Sequence, residues 1–159
     1  MKSWITATLL FAATLSPLTA AENGGLNVDV QKISLQRNDG GRMGHMTVDR
    51  QMTLKINVQN NSMKELAETT LNYVIVIERW GSESNHYERT SGGLKVNKLA
   101  PSLAETLNAG DIHIGGHYHG TSDRHVDHIA GWKITIPRDG TNLDFLSSPN
   151  FDALNARVR

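Results

Sequence analysis

The chain has 159 residues, with 16 basic and 16 acidic side chains, so its formal net charge is zero. It contains no cysteine, which excludes disulfide bonds, thiolate metal sites and a lipid-attachment cysteine. The length favours one domain. Because no block of basic residues occurs, the sequence offers no electrostatic footprint for nucleic acid or for an anionic membrane surface.

The first 21 residues differ from the rest of the chain. They carry one lysine as their only charge, then an apolar run over residues 4–13, and they end in the small residues Ala20 and Ala21. This order is typical of a secretory signal peptide, and the run is shorter than the roughly 20 apolar residues of a membrane span. We therefore expect cleavage near Ala20 or Ala21 and a secreted or periplasmic mature chain of residues 22–159, with no membrane span.

Alternation of apolar and polar side chains is the main pattern of the mature sequence. The alternation changes phase between Val30 and Ile33, which predicts a bulge or bend in the first strand. Residues 71–80 are apolar on both faces and are therefore expected to form a central strand. Strands are predicted over residues 26–35, 52–58, 71–80, 86–90, 94–98, 111–115, 132–136 and 143–147.

Glycine-containing and irregular segments separate these strands. We expect Gly92-Gly93 to be a loop between two short strands, and residues 40–44 to be an ordinary loop. Residues 99–110 are expected to cross the structure with a helical turn. Asp139-Gly140 is a strong hairpin signal, and residues 151–158 are expected to form a short helix. The fold class that follows is all-β, an antiparallel β-sandwich of immunoglobulin-like form with about seven strands and a short C-terminal helix.

Three segments of the sequence carry a resemblance. Residues 54–62 are a strand that ends in an Asn-rich turn, residues 127–132 lead into a Gly-Trp strand, and residues 147–149 are Ser-Ser-Pro. Together they resemble small uncharacterised secreted bacterial domains with immunoglobulin-like or fibronectin-III-like β-sandwiches. The resemblance implies the fold and an extracytoplasmic setting and carries over no catalytic residue. The cysteine–tryptophan–cysteine pattern of true immunoglobulin domains is absent.

Histidines are concentrated between Asp111 and His128, a segment that holds five of the seven in the chain. Imidazole and carboxylate are common ligands of zinc, copper and nickel, and on a strand His117 and His119 would lie on one face. The candidate metal ligands are His117, His119, His125, His128, Asp123 and Asp127. The alternative is a solvated, flexible polar loop, because glycines interrupt the segment and chelation would have to order it.

Two tyrosines and two tryptophans fall next to or within predicted strands. Tyr73 and Trp132 follow the apolar pattern and are expected in the core. Trp80 and Tyr87 flank the polar turn at residues 81–85. They would either form a recognition platform for a sugar or protein or pack against each other across a hairpin.

No motif of a known catalytic class is present. The sequence lacks a Gly-x-Ser-x-Gly nucleophile, a phosphate-binding glycine loop and a His-Glu-x-x-His zinc site. We therefore expect a non-catalytic binding or structural module whose partner is a protein or carbohydrate of the cell envelope. The alternative is a metal-binding protein that uses the histidine-rich segment, with zinc or copper as its ion, and an enzyme of unrecognised type is a third hypothesis.

Overall fold

The computed structural model describes residues 20–23, 25–42, 45–81, 84–119, 123–138 and 141–158. Most of the expected signal peptide and the expected Asp139-Gly140 turn lie outside these residues. The described residues form ten strands and one short helix. The elements are β1 (Ala20–Asn23), β2 (Leu26–Arg37), β3 (Gly40–Arg42), β4 (His45–Asn60), β5 (Thr69–Arg79), β6 (His86–Val96), β7 (Ala104–His119), β8 (Asp123–Val126), β9 (His128–Arg138), β10 (Thr141–Ser147) and α1 (Phe151–Asn155).

The strands form two antiparallel sheets. The first, here called the long sheet, has the order β1-β2-β4-β7-β8, and β3 also pairs with β4. The second, the short sheet, has the order β10-β9-β5-β6. Strands β4 and β7 are each 16 residues long, whereas no described strand of the short sheet exceeds 11 residues. The predicted all-β sandwich is confirmed. No helix in the described part of the chain has the length and apolarity needed to cross a membrane.

The core lies between the two sheets and is built from the predicted alternating positions. Ile56 on β4 and Ile75 on β5 are fully buried, and Trp132 on β9 is 5% exposed. Tyr73 is half-buried and packs against the same cluster. Strand β5 lies between β6 and β9, which confirms its central position. The register of β2 against β4 is continuous from Val30 to Ile33, where the bulge or bend was predicted, and it shifts instead between Ser34 and Gln36.

Helix α1 closes the outer face of the short sheet. Its Phe151 is 5% exposed, and Val76 of β5 is fully buried although it lies outside the core between the sheets. The register partner of Val76 is Gly131, where an added Cβ would lie 3.1 Å from Leu154 Cδ1. The missing side chain therefore makes room for the helix, and Leu154 faces the sheet. The helix is shorter than the predicted residues 151–158.

Two predicted glycine loops are wrong where the structure describes them. Gly92 and Gly93 are inside β6, and residues 40–42 of the predicted loop at 40–44 form β3, whereas residues 43 and 44 lie outside the described residues. At Gly92 a Cβ would lie 2.6 Å from the hydroxyl oxygen of Tyr73 on the paired strand. The glycine thus makes room for an aromatic ring, and it interrupts the apolar pattern without interrupting the strand.

The crossing segment with a helical turn is also wrong, because β7 already begins at Ala104. Leu107 packs against the core and Ala109 is fully buried, so the segment does alternate. Some of its inward side chains are small, and its outward side chains include Thr106 and Asn108. The difference in hydrophobicity between the two faces is therefore small, and the alternation was not recognised as a strand.

The Asn-rich turn after β4 is organised by one buried side chain. Asn60 is 1% exposed. Its amide nitrogen donates to the carbonyl oxygens of Lys64 and Leu99, at 2.8 and 2.9 Å. Its amide oxygen accepts from the Ser62 backbone and hydroxyl, at 3.0 and 2.7 Å. The side chain therefore ties the turn to the neighbouring segment and satisfies its own polar atoms.

Candidate functional site

The histidine-rich segment forms the end of β7 and the whole of β8, and only residues 120–122 between them lie outside the description. The loop prediction is therefore wrong for most of the segment. His117 is the register partner of His125, and His119 that of Asp123. Gly116 has a φ of 149°, and a Cβ there would collide with the carbonyl oxygen of His125. This glycine permits the close approach of β8, although in the sequence it suggested flexibility.

Three aromatic rings meet at this hairpin and are called the Trp–His cluster: Trp80, His117 and His125. The ring centroids of His117 and His125 are 5.2 Å apart. The Trp80 ring lies 4.0 Å from the His125 ring and 5.3 Å from the His117 ring. All three residues are half-buried. The two imidazoles are therefore held side by side with an indole against both.

Asp127 holds Trp80 in place. Its Oδ1 accepts a hydrogen bond from the Trp80 backbone N–H at 2.9 Å, and its Oδ2 accepts from Arg79 Nη1 at 2.9 Å and from Gly115 N–H at 3.3 Å. Burial would lower the pKa of Arg79, but the hydrogen bonds with Glu88 and Asp127 outweigh it and raise that pKa. The guanidinium stays charged and links the end of β5 to the long sheet.

The other described histidine side chains of the segment lie beside carboxylates. His128 Nε2 is 3.2 Å from Glu78 Oε2, and His113 Nε2 is 2.9 Å from Asp49 Oδ1. Both imidazoles are largely exposed, at 60% and 70% of their side-chain surface. Of the six predicted ligands, the structure thus brings His117 and His125 together, and it places His128 and Asp127 in other contacts.

The side chains of the remaining two predicted ligands, His119 and Asp123, are outside the description, and their backbones form the next register pair after His117 and His125. Among the described residues, no group of three or more His, Asp or Glu is arranged to hold a metal ion.

Two neighbours of this site were not predicted from the sequence. The sequence suggested a role for Trp80 only together with Tyr87, and no pattern singled out His45. His45 is the register partner of His119 across β4 and β7, although the two are far apart in the chain. Only the pairing of β4 with β7 could reveal this, and a single sequence does not define that register.

Trp80 and Tyr87 do not pack against each other as one hypothesis held. Tyr87 instead lies under the guanidinium of Arg157, whose Cζ is 5.7 Å from the ring centroid and whose Nη1 donates to the hydroxyl at 3.3 Å. An open groove of about 760 Å³ lies here, between the first half of β6 and the C-terminal Arg157 and Val158.

An ion-pair cluster stabilises the far end of β4. Asp39 Oδ2 is 2.6 Å from Arg37 Nε, and the same carboxylate also pairs with the guanidinium of Arg50. The hydrogen bonds from Arg50, with a smaller contribution from Arg37, lower the pKa of Asp39 to about 2. The carboxylate is therefore ionised at neutral pH.

One side of the sandwich carries two neighbouring strand edges. Within the described residues, β6 pairs only with β5, and β7 pairs with β8 only from Gly116 onward. The two edges are joined near Asn97, whose N–H and Nδ2 donate to the Glu105 carboxylate at 2.8 and 2.6 Å. Farther along, the Tyr73 hydroxyl lies between them, close to Gly92 and Gly110. This region, β6 together with residues 104–112 of β7, is called the open side.

Comparisons with known proteins identify no family for this chain. No protein-family model matches the chain, and no curated protein matches it. Two solved structures are similar in part. An X-ray structure titled as Northeast Structural Genomics Consortium target SoR45 has a TM-score of 0.37 and 9% identity, over 80% of this chain and 89% of that one. The solution structure of R. palustris CsgH has a TM-score of 0.25 and 10% identity, over 72% and 86%. Similarity at this level transfers no residue role.

Proposed function

We propose that this chain is an exported, non-catalytic binding module that takes up an extended segment of a partner protein at the open side. The observation that carries the proposal is the free edge of β6. It runs for 11 residues from His86 to Val96 and lies beside a second free edge on β7. A strand edge presents a row of backbone N–H and C=O groups, and an extended peptide satisfies them by adding a strand.

The shape of β6 supports such an addition. The strand contains no proline, and Gly92 and Gly93 leave its centre without side chains. Its pairing with β5 shows no register shift over the 11 residues. A regular edge without side chains at its centre allows a peptide backbone to approach closely. The side chains at each end of β6 would then select the peptide sequence.

A polypeptide fits this surface better than a carbohydrate or a nucleic acid. The charges of β6 are mixed, with Glu88, Arg89 and Lys95 on one strand, so no basic track is available for phosphates. The aromatic residues that would stack on a sugar are already engaged, Trp80 by two histidines and Tyr87 by Arg157. Backbone pairing does not need a free aromatic platform.

The finer fold assignment belongs to the same proposal. Three long strands, β2, β4 and β7, stand opposite the four strands of the short sheet. This plan of seven principal strands supports an immunoglobulin-like or fibronectin-III-like sandwich, a scaffold on which edges and loops serve recognition. Export rests on the signal-like residues 1–21. N-terminal sequencing of the product should begin at Ala21 or Glu22, and a product that retains residues 4–13 would contradict export.

The experiment uses a photo-crosslinking amino acid at two exposed positions. One variant carries it at Ser91 on the β6 edge, and the matched control carries it at Lys55 on the outer face of the long sheet. After crosslinking in the envelope fraction of the native host, we expect one partner protein on Ser91, attached through a single short segment, and none on Lys55. A synthetic peptide of that segment should slow hydrogen exchange of β6 amides. Crosslinks at Lys55 alone, or a peptide that protects no β6 amide, would contradict the proposal.

A further inference from the structure

The Trp–His cluster has a geometry that the binding proposal does not use. His117 and His125 are directly opposite on neighbouring antiparallel strands, so their side chains share one face of the hairpin. Their ring centroids are 5.2 Å apart and their planes are inclined by 50°. Neither strand has to move to bring two imidazoles together, because the register already does so.

This spacing matches that of two imidazoles bound to one metal ion. A zinc–imidazole bond is about 2.0–2.1 Å long, which places each ring centroid about 3.2 Å from the ion. Two imidazoles at a tetrahedral angle around one ion then have centroids about 5 Å apart, close to the observed 5.2 Å. We propose that His117 and His125 together bind a divalent transition-metal ion, with Cu²⁺ the tightest of the series.

The donor set explains the choice of ion. Imidazole nitrogen suits zinc, copper and nickel, and at a given nitrogen site affinity rises to a maximum at Cu²⁺. The chain has no cysteine, so a thiolate does not compete for the ion. Two protein ligands leave further coordination positions for water or for a ligand from a partner. The site is therefore a binding site for an exchangeable ion and differs from a closed structural site with four protein ligands.

Trp80 makes the site distinct from a chance pair of surface histidines. Its ring lies 4.0 Å from the His125 ring, and its backbone is fixed by the hydrogen bond to Asp127. The indole shields one side of the imidazole pair from water, which favours a fixed orientation of both rings. It also places a fluorophore next to the ion, and a paramagnetic Cu²⁺ at this distance would quench it.

The experiment is a titration of the purified chain with CuSO₄, followed by tryptophan fluorescence. We expect quenching that saturates at one equivalent in the wild-type chain. His117→Ala and His125→Ala should each weaken binding by at least about tenfold, since each removes one of two ligands. Trp80→Phe should remove most of the quenching while copper binding, measured by calorimetry, persists. Far-UV circular dichroism of each variant establishes that the sandwich is intact.

His86→Ala and His128→Ala are the matched controls, because both imidazoles are exposed and lie beside a glutamate. They should leave affinity and quenching unchanged. The proposal is wrong if His117→Ala and His125→Ala bind copper as tightly as wild type, if the controls weaken binding equally, or if Trp80→Phe shows the full quenching. Because the ion site and the β6 edge are tested by different variants, either proposal can fail without the other.

Discussion

The two halves of the long sheet differ in what covers them. The half that carries Leu54, Ile56 and Val58 lies under the short sheet and supplies the core. The other half contains residues 45–51 of β4 and residues 115–118 of β7, and none of these belongs to that core, although Val48 is itself buried. They carry instead the ion pairs of Asp39 and the Trp–His cluster. One continuous sheet thus supplies the hydrophobic core at one end and carries the ion pairs and the Trp–His cluster at the other.

The largest expected effect comes from breaking the core between the covered half and the short sheet. Ile56→Asp or Ile75→Asp places an unpaired charge at a fully buried position. The cost is several kcal/mol, comparable with the roughly 5–15 kcal/mol that holds a domain together. We expect loss of the β spectrum in circular dichroism at 25 °C.

The matched variant in the other half is Met46→Asp, at a position that is 46% exposed. Its effect should stay within about 0.5 kcal/mol in urea unfolding, as for an ordinary surface substitution. If Met46→Asp unfolds the chain as Ile56→Asp does, the two halves do not differ in the way described.

A second substitution tests the turn after β4, at the end of the covered half. Asn60→Leu keeps a side chain of similar size and removes four hydrogen bonds, leaving the Lys64 and Leu99 carbonyls without this donor. We expect a loss of about 2–4 kcal/mol in the free energy of unfolding, measured by urea titration. Asn61→Leu, at an exposed neighbouring position, is the control and should change it little. If the Asn60→Leu chain is as stable as wild type, the turn does not depend on the hydrogen bonds of the Asn60 side chain.

The smallest effect is expected from Asp39→Asn, in the uncovered half. The pKa of Asp39 is lowered to about 2 in the folded chain, so its stabilising contribution is present above its ordinary pKa near 3.8. The contribution is lost as the pH falls from about 4 to about 2. The variant should therefore unfold at slightly lower urea than wild type at pH 7. It should lose less stability than wild type on acidification, and an unchanged acid profile would contradict the assignment.

The sequence predicted the strands that alternate strongly and missed those whose alternation glycine or small residues obscure. Residues 52–58 and 71–80 have large apolar side chains on the inner face, so their pattern is clear. Gly92 is required by close approach to Tyr73 and Gly116 by close approach to β8, and a close approach depends on tertiary structure that the local sequence does not reveal.

The sequence indicated the histidines of the candidate site, but it did not indicate how their side chains are arranged. The density of histidine pointed to residues 113–128. The spacing of two residues predicted a pair of His117 and His119 on one strand, whereas the described contact joins His117 and His125 across two strands. The contribution of Trp80 depends on Asp127, which holds its backbone from 47 residues away. Contacts of this separation need the register of two sheets.

The first strand has a consequence for the order of events in biogenesis. Ala20 and Ala21, at the expected signal cleavage position, form part of β1 and pair with Asp29 and Val28 of β2. A peptidase acts on an extended, accessible backbone, and a residue already hydrogen-bonded in a sheet is withdrawn from it. If residues 1–21 are a signal peptide, as proposed, processing should therefore precede the docking of β1, and the new amino terminus would begin within that strand. Early pairing of β1 with β2 would then protect the cleavage position from the peptidase.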